Sequence, residues 1–190
     1  RDKVDGIVLS PTNSSAAVTV LKMAKAASIP VVIADIGSDG GEYVSVITSN
    51  NADGAYLLGQ LLAKNLKARQ WDAGSVGIIG IPQKRANGQQ RTAGFTRAMT
   101  EAGITISGLR QQVDFSHQET RTLAGELIAA NPGLRALWLQ GSDRYQGALD
   151  AIAAAGKQGQ ILLVCFDAEP EFIDMIRKGT LAGAAMQQPF

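Results

Sequence analysis

Six short runs of Val, Ile and Leu punctuate this chain, and each closes on a small or polar residue. GIVLS ends at Ser10, VVIAD at Asp35, VGIIG at Gly80, ALWLQ at Gln140, LLVCFD at Asp167 and GAAMQQ at Gln188. An apolar run without polar alternation suits a strand covered on both faces, the pattern of a parallel sheet. In open parallel sheets, ligands bind in the crevice outside the carboxyl ends of the strands. The polar residues that close these runs therefore gather along one edge. Such an edge suits the capture of a small molecule.

Composition narrows the possibilities. The chain has 190 residues, 45% of them hydrophobic and 18% charged, enough for one large or two modest domains with ample core. The net charge is +1 and the Lys and Arg residues are scattered, so no basic stripe points to nucleic acid. The longest apolar stretches fall far short of the roughly 18 residues a membrane span needs. The single Cys165 excludes an internal disulfide, and within LLVCFD it reads as a buried structural thiol. The chain opens without Met, at the threshold of a strand, and closes directly after another. It therefore reads as a piece of a longer protein.

Between the runs stand helical patterns. The first extends from about Ser14 to Ser28, with Ala17, Leu21, Ala24 and Ser28 on its buried face. IPVVIAD follows, entered through Ile29-Pro30, and then the Gly-rich turn GSDGG. YVSVITSNN reads as a strand leading into a helix from about Asn51 to Leu66, with Asn50 or Asn51 as N-cap. VGIIGIP, a helix from about Asn87 to Ala102, the strand ITISGLRQQVDF and a helix from about Gln118 to Ala130 continue the series. RALWLQ, a helix from about Asp143 to Ala155, ILLVCFD, a helix from about Pro170 to Lys178 and LAGAAMQ complete it. This alternation predicts doubly wound parallel sheets with right-handed crossovers. Residues from Asn51 onward suffice for one such domain, whereas the opening piece has too few strands to fold alone.

VDGIVLSPTNSSA, KMAKAASIPVVIAD, a Ser-Asn-Asn helix start, QQRTAGF, VDF, QGSDRYQGAL, LLVCFDAEPE and MQQP occur in this order. Together they resemble the ribose- and galactose-class periplasmic sugar-binding proteins of the type I periplasmic-binding fold. The resemblance runs over nearly the whole chain. It implies an α/β fold with two lobes that close on a small ligand at hinge crossings, without catalysis and without a cofactor. On this reading residues 1–48 form part of an N-terminal lobe that is incomplete in this chain. Residues 49–187 form the C-terminal lobe, and 188–190 cross back.

Sugar recognition needs carboxylates that accept hydroxyl protons, guanidinium groups that donate in a planar fork, and a flat apolar face for ring C–H groups. The resemblance carries such roles onto particular residues. Asp35 and Asp167 match acidic ligands of the two lobes, although a turn cap and a helix N-cap are the plainer readings of each. Arg91 matches a ligand arginine, against the solvated arginine usual on a helix. Gln187 matches a hinge-side amide. Phe115 matches an aromatic stacked on the sugar ring, with a core phenylalanine as the alternative. Asn13 either contacts ligand or caps its helix. Ser142 stands where the ribose-type pattern has an Asn, Ile36 where it has an Arg, and Asn50 where it has the Asp of its hinge. Those departures leave fewer guanidinium and amide groups and point away from ribose itself, towards another sugar, a polyol or a sugar-like signal molecule.

Other chemistry finds little support. His117 is the only histidine and lacks partners at metal spacing. No G-x-S-x-G, G-x-G-x-x-G or P-loop is present, so no catalytic or metal residue is assigned. Expected partners are a carbohydrate or polyol ligand and a membrane permease or receptor, with no direct contact to nucleic acid. The protein is expected to be an extracytoplasmic (periplasmic) monomer. The alternative is the effector-binding core of a LacI-type repressor, which shares the fold. WDAGS replaces the Gly-His-Arg-Arg-like segment usual before the corresponding strand of those repressors.

Overall fold

We describe a computed structural model of the chain for residues 3–188. Its first unit comprises β1 (Ile7–Leu9), α1 (Ser14–Ala26), β2 (Val31–Ala34) and β3 (Ser45–Ile47). The second begins with α2 (Asn51–Ala68), β4 (Ser75–Gly80), α3 (Ala86–Ala102), β5 (Thr105–Gln111) and α4 (His117–Ala130). It continues with β6 (Leu134–Leu139), α5 (Tyr145–Ala154), β7 (Leu162–Phe166), α6 (Phe172–Lys178) and β8 (Gly183–Ala185). One sheet has the order β1-β2-β3 and the other β5-β4-β6-β7-β8, and every pairing is parallel.

The larger sheet shows why the runs are apolar without alternation. Val76 and Ile78 of β4, Ala136 and Trp138 of β6, and Val164 and Phe166 of β7 pack towards Leu58, Leu62, Phe95 and Met99 of α2 and α3. Their neighbours Ile79, Leu137, Leu139, Leu163 and Cys165 face Leu127, Ala148, Ile152 and Phe172 on the other side. Successive side chains point to opposite faces, so two covered faces demand apolar residues at every position. Trp138 anchors the first layer, stacked on Phe95 with ring centroids 4.0 Å apart. Burial pushes the Cys165 thiol pKa up, which keeps it protonated and inert.

The smaller sheet is covered on one face only. Leu21 and Ala24 of α1 pack on Val31 and Ile33, whereas Val8 and Ile47 are 78% and 68% exposed. That asymmetry fits an incomplete lobe. The chain passes from β3 to α2 through Thr48–Asn50 and returns towards the smaller sheet after β8. Pro189 and Phe190, which belong to the expected return crossing, lie outside the described residues.

Boundaries differ from the sequence reading at helix ends. Ser28, expected on the buried face of the first helix, lies beyond its end at φ 55° and is exposed. The helices expected from Asp143 and Pro170 begin at Tyr145 and Phe172, because the first residues of each segment form the turn that leaves the strand. Asn50, not Asn51, caps α2, accepting the Asp53 N–H at 3.3 Å. Trp71, in the connection after α2, has the guanidinium groups of Arg69 and Arg135 at 5.3 and 5.1 Å from its ring. Among the described residues no helix is long and apolar enough to cross a membrane.

Candidate ligand-binding site

The strand order of the larger sheet reverses between β4 and β6, and such a switch point opens a crevice at the carboxyl ends of the strands. There a cavity of about 320 Å³ is lined by Asp35, Arg91, Phe115, Asp167 and Gln187, together with polar residues at the ends of β4, β5 and β6. A cavity of about 480 Å³ lies by Ile161 and Leu162 at the opposite, amino end of β7. Only the smaller one draws charged residues from both sheets.

Asp35 and Asp167 occupy equivalent places in the two units. Each directly follows a strand, β2 or β7, and each adopts the left-handed region, at φ 68° and 69°. The Asp35 N–H donates to Ile47 O at 2.9 Å and the Asp167 N–H to Ala185 O at 2.8 Å, in each case the last residue of the neighbouring strand. Aspartate tolerates this region better than most residues. The turned backbone lifts each carboxylate off the sheet edge, and the two strand ends bring them to one crevice.

Arg91 sits one turn into α3 and is 4% exposed. Its Nε donates to Asn51 Oδ1 at 2.8 Å and its Nη1 to Gln140 O at 2.5 Å. Nη1 also lies 3.6 Å from Asp167 Oδ2, and the guanidinium stacks over Phe166 at 3.9 Å from the ring centroid. Burial pulls its pKa below the ordinary value, and the Asp167 and then the Asp35 charges oppose that shift. The guanidinium is therefore fixed rather than solvated. Asn51 in turn donates to Ser49 O at 3.0 Å, Ser49 Oγ to Gln187 Oε1 at 2.5 Å, and Gln187 Nε2 to Asp167 Oδ1 at 2.5 Å. A chain of hydrogen bonds thus runs from the arginine through the first crossing to the far strand end.

Phe115 is held from its backbone. Its φ is 53°, a costly value for a bulky residue. Glu119 accepts the N–H groups of Val113, Asp114 and Phe115 at 2.6, 3.0 and 2.8 Å, while Ser116 caps the Glu119 N–H at 3.1 Å. Ser116 and Glu119 have the residue types of a capping box, but the acid reaches past the N-cap and clasps the turn before it. Arg144 Nε donates to Phe115 O. Phe115 lines the cavity and belongs to none of the hydrophobic core clusters.

Two candidates stand elsewhere. Asn13 caps α1, its Oδ1 accepting the Ala16 N–H at 2.7 Å, outside the cavity lining. Ser142 is buried and its hydroxyl donates to Glu169 at 2.7 Å, while the adjacent Asp143 lines the cavity. Ile36 is buried, 6% exposed, and adds nothing to the lining. Sequence reading missed Gln112, Gln140 and Arg85. Gln140 carried a signal, since it closes a strand run; its side chain accepts the Ile81 N–H at 3.2 Å and donates to Thr92 at 2.6 Å. Among the described residues no cluster of three His, Cys, Asp or Glu could hold a metal.

Two parallel α/β units are thus joined by crossings, and charged strand ends from both line one cavity. The sequence matches the periplasmic binding protein domain over residues 1–190, and the chain belongs to that family. It is 34% identical over 190 residues to the D-ribose/D-allose-binding protein of Pseudomonas aeruginosa, covering 97% of this chain and 58% of that protein. To the ribose import binding protein RbsB of Escherichia coli it is 30% identical over 183 residues, covering 96% and 60%. A crystal structure of an ABC transporter solute-binding protein from Burkholderia multivorans, with an unknown ligand represented as α-D-erythrofuranose, superposes with a TM-score of 0.86 at 33% identity. That superposition covers 98% of this chain and 66% of the other. The chain therefore spans 58% and 60% of the length of the two curated relatives. These relatives are binding proteins, not enzymes, by name.

Proposed function

We propose that the protein captures a sugar or sugar-like small molecule between its two lobes. Working in the periplasm, it delivers that molecule to the permease of an ABC-type importer or to a receptor. The observation that carries this reading is the common cavity: Asp35 from the smaller sheet and Arg91 and Asp167 from the larger line the same space. Its volume of about 320 Å³ lies at the small end of the range of about 300–1,000 Å³ usual for ligand sites, which suits a monosaccharide. Carboxylates on both sides accept hydroxyl protons, a fixed guanidinium donates, and Phe115 offers an apolar face. A ligand bridging the lobes completes its contacts only when they meet, so binding favours the closed arrangement. We take residues 1–48 and 49–187 as the parts of the two lobes present, with the chain crossing back from 188.

The names of the relatives make D-ribose and D-allose the first probes, within a wider panel of pentoses, hexoses and polyols. In the complete protein Asp35→Asn should weaken binding of the best panel sugar by about 1–3 kcal/mol, because the amide cannot accept the same two hydroxyl protons. Isothermal titration calorimetry checks this. Unchanged affinity would remove Asp35 from the binding surface, and no binding anywhere in the panel would overturn the reading itself.

A further inference from the structure

Besides the crossings at Ser49 and Gln187, the two lobes meet at a second place. The turn between β4 and α3 touches the turn between β1 and α1. The Ser14 N–H donates to Lys84 O at 3.3 Å, the Ala86 N–H to Ser14 Oγ at 3.0 Å, and Arg85 Nε to Thr12 O at 3.0 Å. The first two contacts use main chain and a small hydroxyl. The third uses a guanidinium, and its chemistry exceeds what a latch to one carbonyl requires.

Arg85 lines the cavity together with Asp35, Arg91 and Phe115. Its guanidinium carbon lies 5.4 Å from the centroid of the Phe115 ring. With Nε engaged by Thr12, the N–H groups of Nη1 and Nη2 have no hydrogen-bond partner among the described residues. Arg91, the other cation of the lining, keeps only Nη2 for a ligand, since Asn51, Gln140 O and Asp167 engage its Nε and Nη1. Ile36, beside Asp35, is buried and adds no polar group to the lining. Both guanidinium groups of the cavity come from the larger-sheet unit, Arg91 from α3 and Arg85 from the turn before it.

We infer that Arg85 is a specificity-determining ligand contact, donating from Nη1 and Nη2 to adjacent hydroxyls of the captured sugar at the Phe115 side of the cavity. This rests on the sugar-binding reading above. A planar fork matches two neighbouring hydroxyl oxygens in a way an ammonium does not. Because the same side chain holds Thr12 of the other lobe, the contact is complete only when the lobes have met.

The test uses the complete protein and calorimetry with D-ribose, D-allose and the singly deoxygenated forms of whichever binds, for the wild type, Arg85→Ala and Arg85→Lys. Arg85→Ala should lower affinity at least tenfold and Arg85→Lys at least fivefold, with unliganded melting temperatures close to wild type. Removing one particular hydroxyl should cost the wild type at least tenfold and Arg85→Ala less than twofold. Equal weakening of every sugar by Arg85→Ala would make Arg85 a latch only and overturn the inference, as would unchanged affinity in both variants. Failure of the wild type to bind any panel sugar would instead sink the sugar-binding reading. If Arg85→Ala fails to fold, Arg85→Lys decides alone: wild-type discrimination among the deoxy sugars with a lysine in place would overturn the inference.

Discussion

Arg91→Ala is expected to abolish the thermal stabilisation that a bound sugar confers and to lower the stability of the unliganded protein by about 1–3 kcal/mol. The first effect follows from the cavity, whose fixed donor disappears. The second follows from burial. Arg91 is 4% exposed, stacked over Phe166, and bonded to Asn51 and to the Gln140 carbonyl. Truncation leaves those two acceptors facing a void and strips Asp167 of its cationic neighbour. Urea unfolding measures the loss without ligand, and a thermal-shift assay with the best panel sugar measures the rest. A variant of wild-type stability would mean that the buried contacts of Arg91 carry no net energy. A variant that still responds to sugar would exclude it as a ligand contact.

Gly94→Ala should be comparably damaging although Gly94 touches no ligand. A Cβ at Gly94 would stand 2.0 Å from Ala52 O and 2.9 Å from Ala52 C, both main-chain atoms of α2 that no rotamer change can move. The helices must separate. That separation falls beside the Asn51–Arg91 bond, since Ala52 follows Asn51 and Gly94 lies almost one turn beyond Arg91 on α3. We expect a loss of about 3 kcal/mol in stability, the upper end for overpacking, with affinity for sugar reduced alongside. Urea unfolding and calorimetry on the same sample check both. Wild-type values in both would show that α2 and α3 are not held at this distance.

The two effects share a cause that bears on what a sequence can disclose. The strands of the larger sheet were legible because each run must satisfy two apolar faces, as Leu137, Trp138 and Leu139 do in β6. Asp35 and Asp167 were legible because a carboxylate closing such a run has no partner within its own strand. Helix starts were blurred, since polar turn residues such as Asp143 and Pro170 look like first-turn residues until the strand exit consumes them. Asn13 and Ser142 also follow strand ends, yet local acceptors and donors claim them: the Ala16 N–H for one, the Glu169 carboxylate for the other. The bond of Asn51 to Arg91 and the place of Arg85 escaped notice because the partners, Arg91 and Thr12, are 40 and 73 residues away in sequence. Only the close approach of α2 to α3, and of one turn to another, creates those pairs. Glu119 was readable in principle, as Ser116-x-x-Glu119 is the sequence pattern of a capping box, but its hold on the Phe115 turn was not.

The proposed ligand bridges the two lobes, and a crystal structure of the complete protein with its tightest-binding panel sugar examines that bridge directly. The sugar should occupy the crevice at the carboxyl strand ends, with hydroxyl oxygens within hydrogen-bond distance of the Asp35 carboxylate on one side and of Asp167 or Arg91 on the other. Density for the sugar elsewhere, or contacts confined to a single lobe, would contradict it.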